Sequence, residues 1–165
     1  MAVLSTKLYL SWSETNADNR TQIRVKSYDG SNWSFVDGDN ATQGINKDYT
    51  QNASYPQLVT VTEGNIENST DNGVSWNNVT SYSSSSKLYA VWLEENGNSQ
   101  VRVAEFDGTS TWSFKDGDSF DGLNINTAKI TGKPSAVAYL NQLIVAWSEI
   151  NSLGVPQIRV ASSPF

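Results

Sequence analysis

Apolar and polar positions alternate along Leu8-Tyr9-Leu10-Ser11-Trp12-Ser13-Glu14, so residues 8, 10 and 12 share an apolar face that ends at Glu14. This period of two predicts a strand over 7–14, after a short strand at 2–4. The run returns as Leu88-Tyr89-Ala90-Val91-Trp92-Leu93, apolar on both faces. A strand with two apolar faces is expected inside a stack of sheets. A polar stretch at 15–21 precedes a second strand at 22–28, and Tyr28-Asp29-Gly30 turns the chain into a short strand at 33–36.

These elements repeat. Trp12-Ser13-Glu14, Gln22-Ile23-Arg24-Val25, Tyr28-Asp29-Gly30 and Trp33-Ser34-Phe35 recur as Trp92-Leu93-Glu94, Gln100-Val101-Arg102-Val103, Phe106-Asp107-Gly108 and Trp112-Ser113-Phe114. A third copy, cut short, carries Trp147-Ser148-Glu149 and Gln157-Ile158-Arg159-Val160. A unit this small cannot bury its own apolar surface and must stack on its copies. Four short antiparallel strands per unit, with Asp-Gly turns and aromatics at fixed places, predict an all-β fold: a β-propeller of four-stranded antiparallel blades, three to four per chain. A sandwich would repeat less regularly. Residues 1–165 read as a single domain, complete or not, with blades at 2–37, 81–116 and 134–165, the last lacking its fourth strand.

Within each unit Glu and Arg recur together. Placing Glu14 opposite Arg24, Glu94 opposite Arg102 and Glu149 opposite Arg159 centres the hairpin turns at residues 19, 98 and 154, all in turn-forming sequence. The expectation is a cross-strand ion pair in every blade. Because the set recurs everywhere, it is read as structural.

Long polar connections run from Asp37 to Tyr55 and from Asp116 to Lys133, each holding an Asp-Gly and a Gly-x-Asn. In a four-stranded blade these crossovers emerge on the same face as the loops between strands 2 and 3. That elaborated face is where a rigid scaffold presents function. Its candidate ligand-binding residues are Asp39, Asn46, Asp48, Tyr49, Asp118, Asp121, Asn124 and Asn126. Carboxylates, amides and an aromatic suit a hydroxyl-rich ligand such as a glycan; the plainer reading is that they cap long loops. Asp37-Gly38-Asp39-Asn40 and Asp116 to Gly122 also offer oxygens of the kind calcium accepts, without the twelve-residue loop ending in Glu that a calcium-binding helix pair uses. No metal site is assigned, and solvated turns are the preferred reading. Trp12, Trp92 and Trp147 are read as core between blades.

Composition narrows the chemistry. Eleven Lys and Arg stand against 17 Asp and Glu, a net charge of −6, with no basic footprint for nucleic acid. Histidine and cysteine are absent, which removes disulfides, thiolate metal sites and the Ser-His-Asp and Cys-His relays. No signal peptide is read at Met1 to Lys7, and no membrane span is predicted. The wealth of Ser, Thr and Asn favours an extracellular or cell-surface location.

Ser69-Thr70-Asp71-Asn72-Gly73-Val74-Ser75-Trp76 resembles the Asp-box of sialidases and related secreted bacterial β-propellers, with Ser69, Asp71, Gly73 and Trp76 filling its defining positions. In such families the box is a turn between the third and fourth strands, away from the ligand. The resemblance therefore implies scaffold for these four residues. It also places a reduced blade at 55–79, with 56–61 as inner strand and 65–79 as outer hairpin. This accounts for the spacing, since Trp92 and Trp147 lie 55 residues apart but Trp12 and Trp92 lie 80 apart.

The expected function is a non-catalytic binding or scaffold module, recognising a glycan or another extracellular surface through the long-loop face. An unclosed set of blades leaves strand edges and an apolar face exposed. Closure then calls for a second copy, making a homo-oligomer, unless the chain is part of a larger protein. One alternative is a fragment of a sialidase-like glycoside hydrolase using carboxylates such as Asp39 and Asp118, although no unique catalytic set can be named. Another is a structural self-assembling propeller without ligand.

Overall fold

A computed structural model of the chain describes residues 1–38, 43–68, 79–117, 121–129 and 131–165, with side chains at 64–68, 79–84 and 96 left aside. The described residues form eleven strands in three antiparallel sheets. The first holds β1 (Ala2–Leu4), β2 (Lys7–Thr15), β3 (Thr21–Tyr28) and β4 (Trp33–Phe35), paired in chain order. The second holds β5 (Ala53–Asn68), β6 (Val79–Asn96), β7 (Asn98–Phe106) and β8 (Trp112–Phe114), in the same order. The third holds β9 (Ser135–Tyr139), β10 (Gln142–Ile150) and β11 (Pro156–Ser162). The fold is thus all-β and built from small open sheets.

Alternation decides how the sheets stack. One face of β2 and β3 carries Tyr9, Ile23 and Val25, and these pack with Leu88, Ala90 and Trp92 of β6. The opposite face of the second sheet carries Tyr89, Val91, Leu93, Val101 and Val103, packed with Leu143, Val145 and Trp147 of β10. The second sheet is therefore buried on both faces, as its sequence requires, with Leu88, Ala90, Val91 and Trp92 all at 0% exposure. Burial of each large apolar side chain contributes about 1.5–3 kcal/mol.

Two expectations are corrected. The strand over 56–61 does not found a separate reduced blade: Gln57 to Val61 pair with Val91 to Lys87, making β5 the first strand of the second sheet. The same pairing runs on from Thr62↔Ser86 to Ile66↔Tyr82 and, past a register shift, to Asn68↔Val79. The described residues on either side of the extra stretch therefore extend this pairing, because the ladder runs without a break from Val61 to Ile66. The Asp-box residues Ser69, Asp71, Gly73 and Trp76 lie outside the described residues.

The hairpin register also differs. Arg24 stands opposite Trp12, Arg102 opposite Trp92 and Arg159 opposite Trp147, while Glu14, Glu94 and Glu149 face Gln22, Gln100 and Gln157. Turn chemistry sets this. Asn16 Oδ1 accepts the N–H groups of Asp18 and Arg20 at 3.0 and 2.9 Å, and Asn151 Oδ1 accepts those of Leu153 and Val155 at 2.9 and 3.0 Å. The shift is two residues, so Glu and Arg stay on one face, diagonal to each other.

Candidate functional site

The repeated polar chemistry gathers where each connection leaves its sheet. After β4 the chain turns back along the free edge of β3 and satisfies it residue by residue. Val36 N–H donates to Val25 O at 3.1 Å, and Asp37 Oδ2 accepts the Val25 N–H at 2.8 Å. Further along, Ile45 N–H donates to Ile23 O at 3.0 Å, and Asn46 Oδ1 accepts the Ile23 N–H at 2.8 Å. The second sheet repeats this on β7: Lys115 N–H to Val103 O, Val103 N–H to Asp116 Oδ2, Leu123 N–H to Val101 O and Val101 N–H to Asn124 Oδ1, at 2.9 to 3.0 Å. Asp and Asn serve here because a short acceptor can stand in for a strand's missing carbonyl.

Arginine is held by the same segment. Arg24 Nε lies 2.7 Å from Asp37 Oδ2, and Arg102 Nε lies 3.1 Å from Asp116 Oδ2, with both carboxylates at 0% side-chain exposure. The guanidinium of Arg24 sits 4.3 Å from the Phe35 ring centroid and that of Arg102 sits 5.0 Å from Phe114. Asp37 and Asp116 are thus the close acidic partners of these arginines. Glu14 stands farther off, 3.7 Å from Arg24 and half exposed. The Asp partnership escaped the sequence reading because charge matching within the hairpin looked sufficient. A signal was present, since Phe-x-Asp-Gly recurs at Phe35 and Phe114.

The glutamates serve a different purpose. Glu94 accepts the Trp92 indole N–H at 3.1 Å, the Lys47 N–H at 2.8 Å and the Asp48 N–H at 2.9 Å. Glu149 accepts the Trp147 indole N–H at 3.1 Å and the N–H groups of Ile125 and Asn126 at 3.1 and 2.8 Å. Each carboxylate therefore binds the connection arriving from the preceding sheet. Burial pushes the Glu94 carboxyl above the usual carboxylate range, against the pull of its three donors and of Arg102. Among the described residues, Glu14 keeps only the matching indole bond, Trp12 Nε1 at 2.9 Å, beside Arg24.

The candidate ligand residues divide accordingly. Asn46 and Asn124 are caps, each also donating through Nδ2, to Thr21 O and Gln51 O and to Ser99 O and Thr131 Oγ1 respectively. Asp48 Oδ1 accepts Thr50 N–H and Oγ1–H at 2.9 and 2.6 Å, and Asn126 Oδ1 accepts the Ala128 N–H at 3.3 Å. Tyr49 is 53% exposed, and Asp121 is exposed in the second connection. Asp39, Asn40 and Asp118 lie outside the described residues. The connections and hairpin ends do meet on one face: Asn52 Nδ2 donates to Glu95 Oε2, and Asn98 Nδ2 donates to Thr127 O. There a recess of about 400 Å³ is lined by Gln51, Glu95, Gly97, Asn98 and Ser99. Among the described residues no group of three or more acidic side chains converges as a metal site would require.

At the opposite end of the strands, Asp29 Oδ1 accepts the N–H groups of Ser31 and Asn32, and Asp107 Oδ1 accepts those of Thr109, Ser110 and Thr111. These donors hold both carboxyls below the ordinary carboxylate range, Asp107 far below it. Both turns are closed and serve the scaffold. No protein-family model matches this chain, and comparison with curated proteins and with solved structures yields no match.

Proposed function

We propose that the chain is a non-catalytic scaffold module of the β-propeller kind, each sheet a blade, and that a second copy of the chain closes the ring. One observation carries this reading. Ile23 and Val25 of β3 and Val101 and Val103 of β7 are all 0% exposed, each pair covered by the Trp-bearing face of the next sheet, whereas Ile158 and Val160 of β11 are 75% and 66% exposed. Val137 and Tyr139 of β9 extend that open face, at 58% and 63% exposure. Its natural complement is the outer face of the first sheet, where Leu10, Trp12 and Glu14 repeat the positions of Ala90, Trp92 and Glu94.

Stacking the first sheet of one copy on the third sheet of another reuses the contact made twice within the chain. Two copies supply six sheets, within the range of about four to eight for propellers. Such a head-to-tail contact has to close or it grows into filaments. The carboxylates of Glu94 and Glu149 hold backbone N–H groups, which fits a structural role better than catalysis. Light scattering during size exclusion is expected to give twice the 18.1 kDa chain mass. Val160→Glu is expected to return a folded monomer. A monomer for the unaltered chain at every concentration overturns the proposal.

A second reading, glycan recognition at the long-loop face, draws on the recess beside Gln51, Glu95 and Asn98, whose amide and carboxylate groups complement hydroxyls. A glycan array tests it, and silence there removes it without touching the first.

A further inference from the structure

We propose that the outer edge of β11 is a docking site for an extended peptide of the form Phe-x-Asp-Gly, with Arg159 and the Val160 N–H as the receptor for its carboxylate. The ground is an internal comparison. Strands β3, β7 and β11 carry the same motif, Gln22-Ile23-Arg24-Val25, Gln100-Val101-Arg102-Val103 and Gln157-Ile158-Arg159-Val160. They also share one register, since Arg24, Arg102 and Arg159 all stand opposite the Trp of the neighbouring strand.

On the first two strands the edge is filled by Phe35-Val36-Asp37-Gly38 and Phe114-Lys115-Asp116-Gly117. Each segment makes the same set of contacts. The residue after Phe donates its N–H to the Val carbonyl, at 3.1 and 2.9 Å. The Asp carboxylate accepts the Val N–H at 2.8 and 3.0 Å and pairs with Arg Nε at 2.7 and 3.1 Å. The Phe ring lies against the guanidinium, and its centroid is 6.2 Å from that of Trp12 in one case and 5.9 Å from that of Trp92 in the other.

On β11 this edge is the end of its sheet among the described residues. Among the described residues Arg159 Nε is buried and finds no hydrogen-bond partner, and Trp147 stands opposite Arg159 on β10. By the shared register Val160 presents its N–H and C=O outward, as Val25 and Val103 do. An exposed strand edge accepts an added strand through main-chain bonds. Side-chain chemistry selects which one: a planar, permanently charged guanidinium beside a free N–H recognises a carboxylate, and the face next to Trp147 recognises an aromatic ring two residues earlier. The site does not rest on ring closure, because it uses the edge of the sheet, and closure uses its face.

The test is a titration of the ¹⁵N-labelled chain with a synthetic peptide of the sequence Thr109–Gly117, amidated so that its terminus adds no second carboxylate. Saturable shifts of the Val160 N–H and the Arg159 Nε–H, with binding tighter than about 1 mM, are expected. A peptide with Asn in place of its Asp is expected to bind at least about tenfold more weakly, as is the normal peptide to the Arg159→Gln chain. The Asn peptide leaves the protein untouched, so its loss cannot come from misfolding. Absence of saturable shifts at these two groups overturns the proposal. So does an Asn peptide that binds as well as the Asp one.

Discussion

Glu94 fixes the backbone of Lys47, its Oε2 accepting that N–H at 2.8 Å while Oε1 accepts the next N–H at 2.9 Å, so a carboxylate of the second sheet clamps the connection leaving the first. Glu14 occupies the matching place in the first sheet, yet its side chain is 47% exposed. Substitution to Gln replaces one acceptor oxygen with an NH₂ donor. At Glu94 that donor meets a ring of donors in a site 2% exposed, and a loss of about 2 kcal/mol is expected. At Glu14 the change is expected to stay within about 0.5 kcal/mol. Urea unfolding of the two variants checks this; equal losses would mean the clamp contributes nothing.

Arg102–Asp116 and Lys87–Glu63 separate distance from burial. Their shortest approaches are 3.1 and 3.2 Å, but the first pair is 1% and 0% exposed and the second 39% and 38%. Asp116→Asn leaves a buried guanidinium without its countercharge and is expected to cost about 3–5 kcal/mol. Glu63→Gln is expected to cost less than about 1 kcal/mol, because water screens that pair and side-chain entropy opposes it. Chemical denaturation at one salt concentration measures both.

Much of the second sheet could be read directly from residues 88–93, because a strand apolar at every position has nowhere to sit except between two others. The short strands ending at Phe35 and Phe114 were legible from the Asp-Gly turns before them. The register was misplaced by two residues because pairing Glu14 with Arg24 looked electrostatically sound, whereas Asn16 and Asn151 set the turns through backbone bonds. The reduced blade at 55–79 rests on the resemblance of Ser69 to Trp76 to an Asp-box, and such a resemblance does not say which sheet the strand before it joins; Gln57 to Val61 pair with Val91 to Lys87. Within the candidate site, Asn46 and Asn124 stand out as amides on the long-loop face, for which capping is the plainer reading; what the sequence does not show is that the groups they cap are the Ile23 and Val101 N–H on the edges of β3 and β7.

Asp107 sets an acid limit. Three backbone N–H donors hold its carboxyl far below the ordinary range in the folded chain, while in the unfolded chain it titrates near 4. The unfolded state then binds more protons across this window, so stability rises with pH there. The contribution is fully present above about pH 4 and fades as pH falls toward the depressed folded value. Unfolding measured at several pH values from about 6 down to 3 is expected to show a shallower acid loss for Asp107→Asn than for the unaltered chain. Parallel curves would deny the turn this role.

Gly44 and Gly38 allow strain to be divided into its two parts. Both have left-handed backbones, φ +57° and +84°, so an Ala at either incurs the conformational penalty of about 1–2 kcal/mol. Only Gly44 also faces a wall: a Cβ there would stand 2.2 Å from Ile23 O, the carbonyl that accepts the Ile45 N–H, whereas a Cβ at Gly38 meets nothing within 4 Å. Gly122 repeats the arrangement at 2.4 Å from Val101 O, and Gly117 repeats the open case. Contact that close cannot be relieved without breaking the bond from Ile45 and lifting Asn46 off the strand. Gly44→Ala is therefore expected to cost at least about 1 kcal/mol more than Gly38→Ala, the value of one lost backbone bond, and Gly122→Ala to exceed Gly117→Ala likewise. Hydrogen exchange gives the sharper readout: the Ile23 N–H, whose acceptor is Asn46 Oδ1, is expected to lose protection in Gly44→Ala and keep it in Gly38→Ala. Matched protection in the two variants would show that the connection does not depend on this approach.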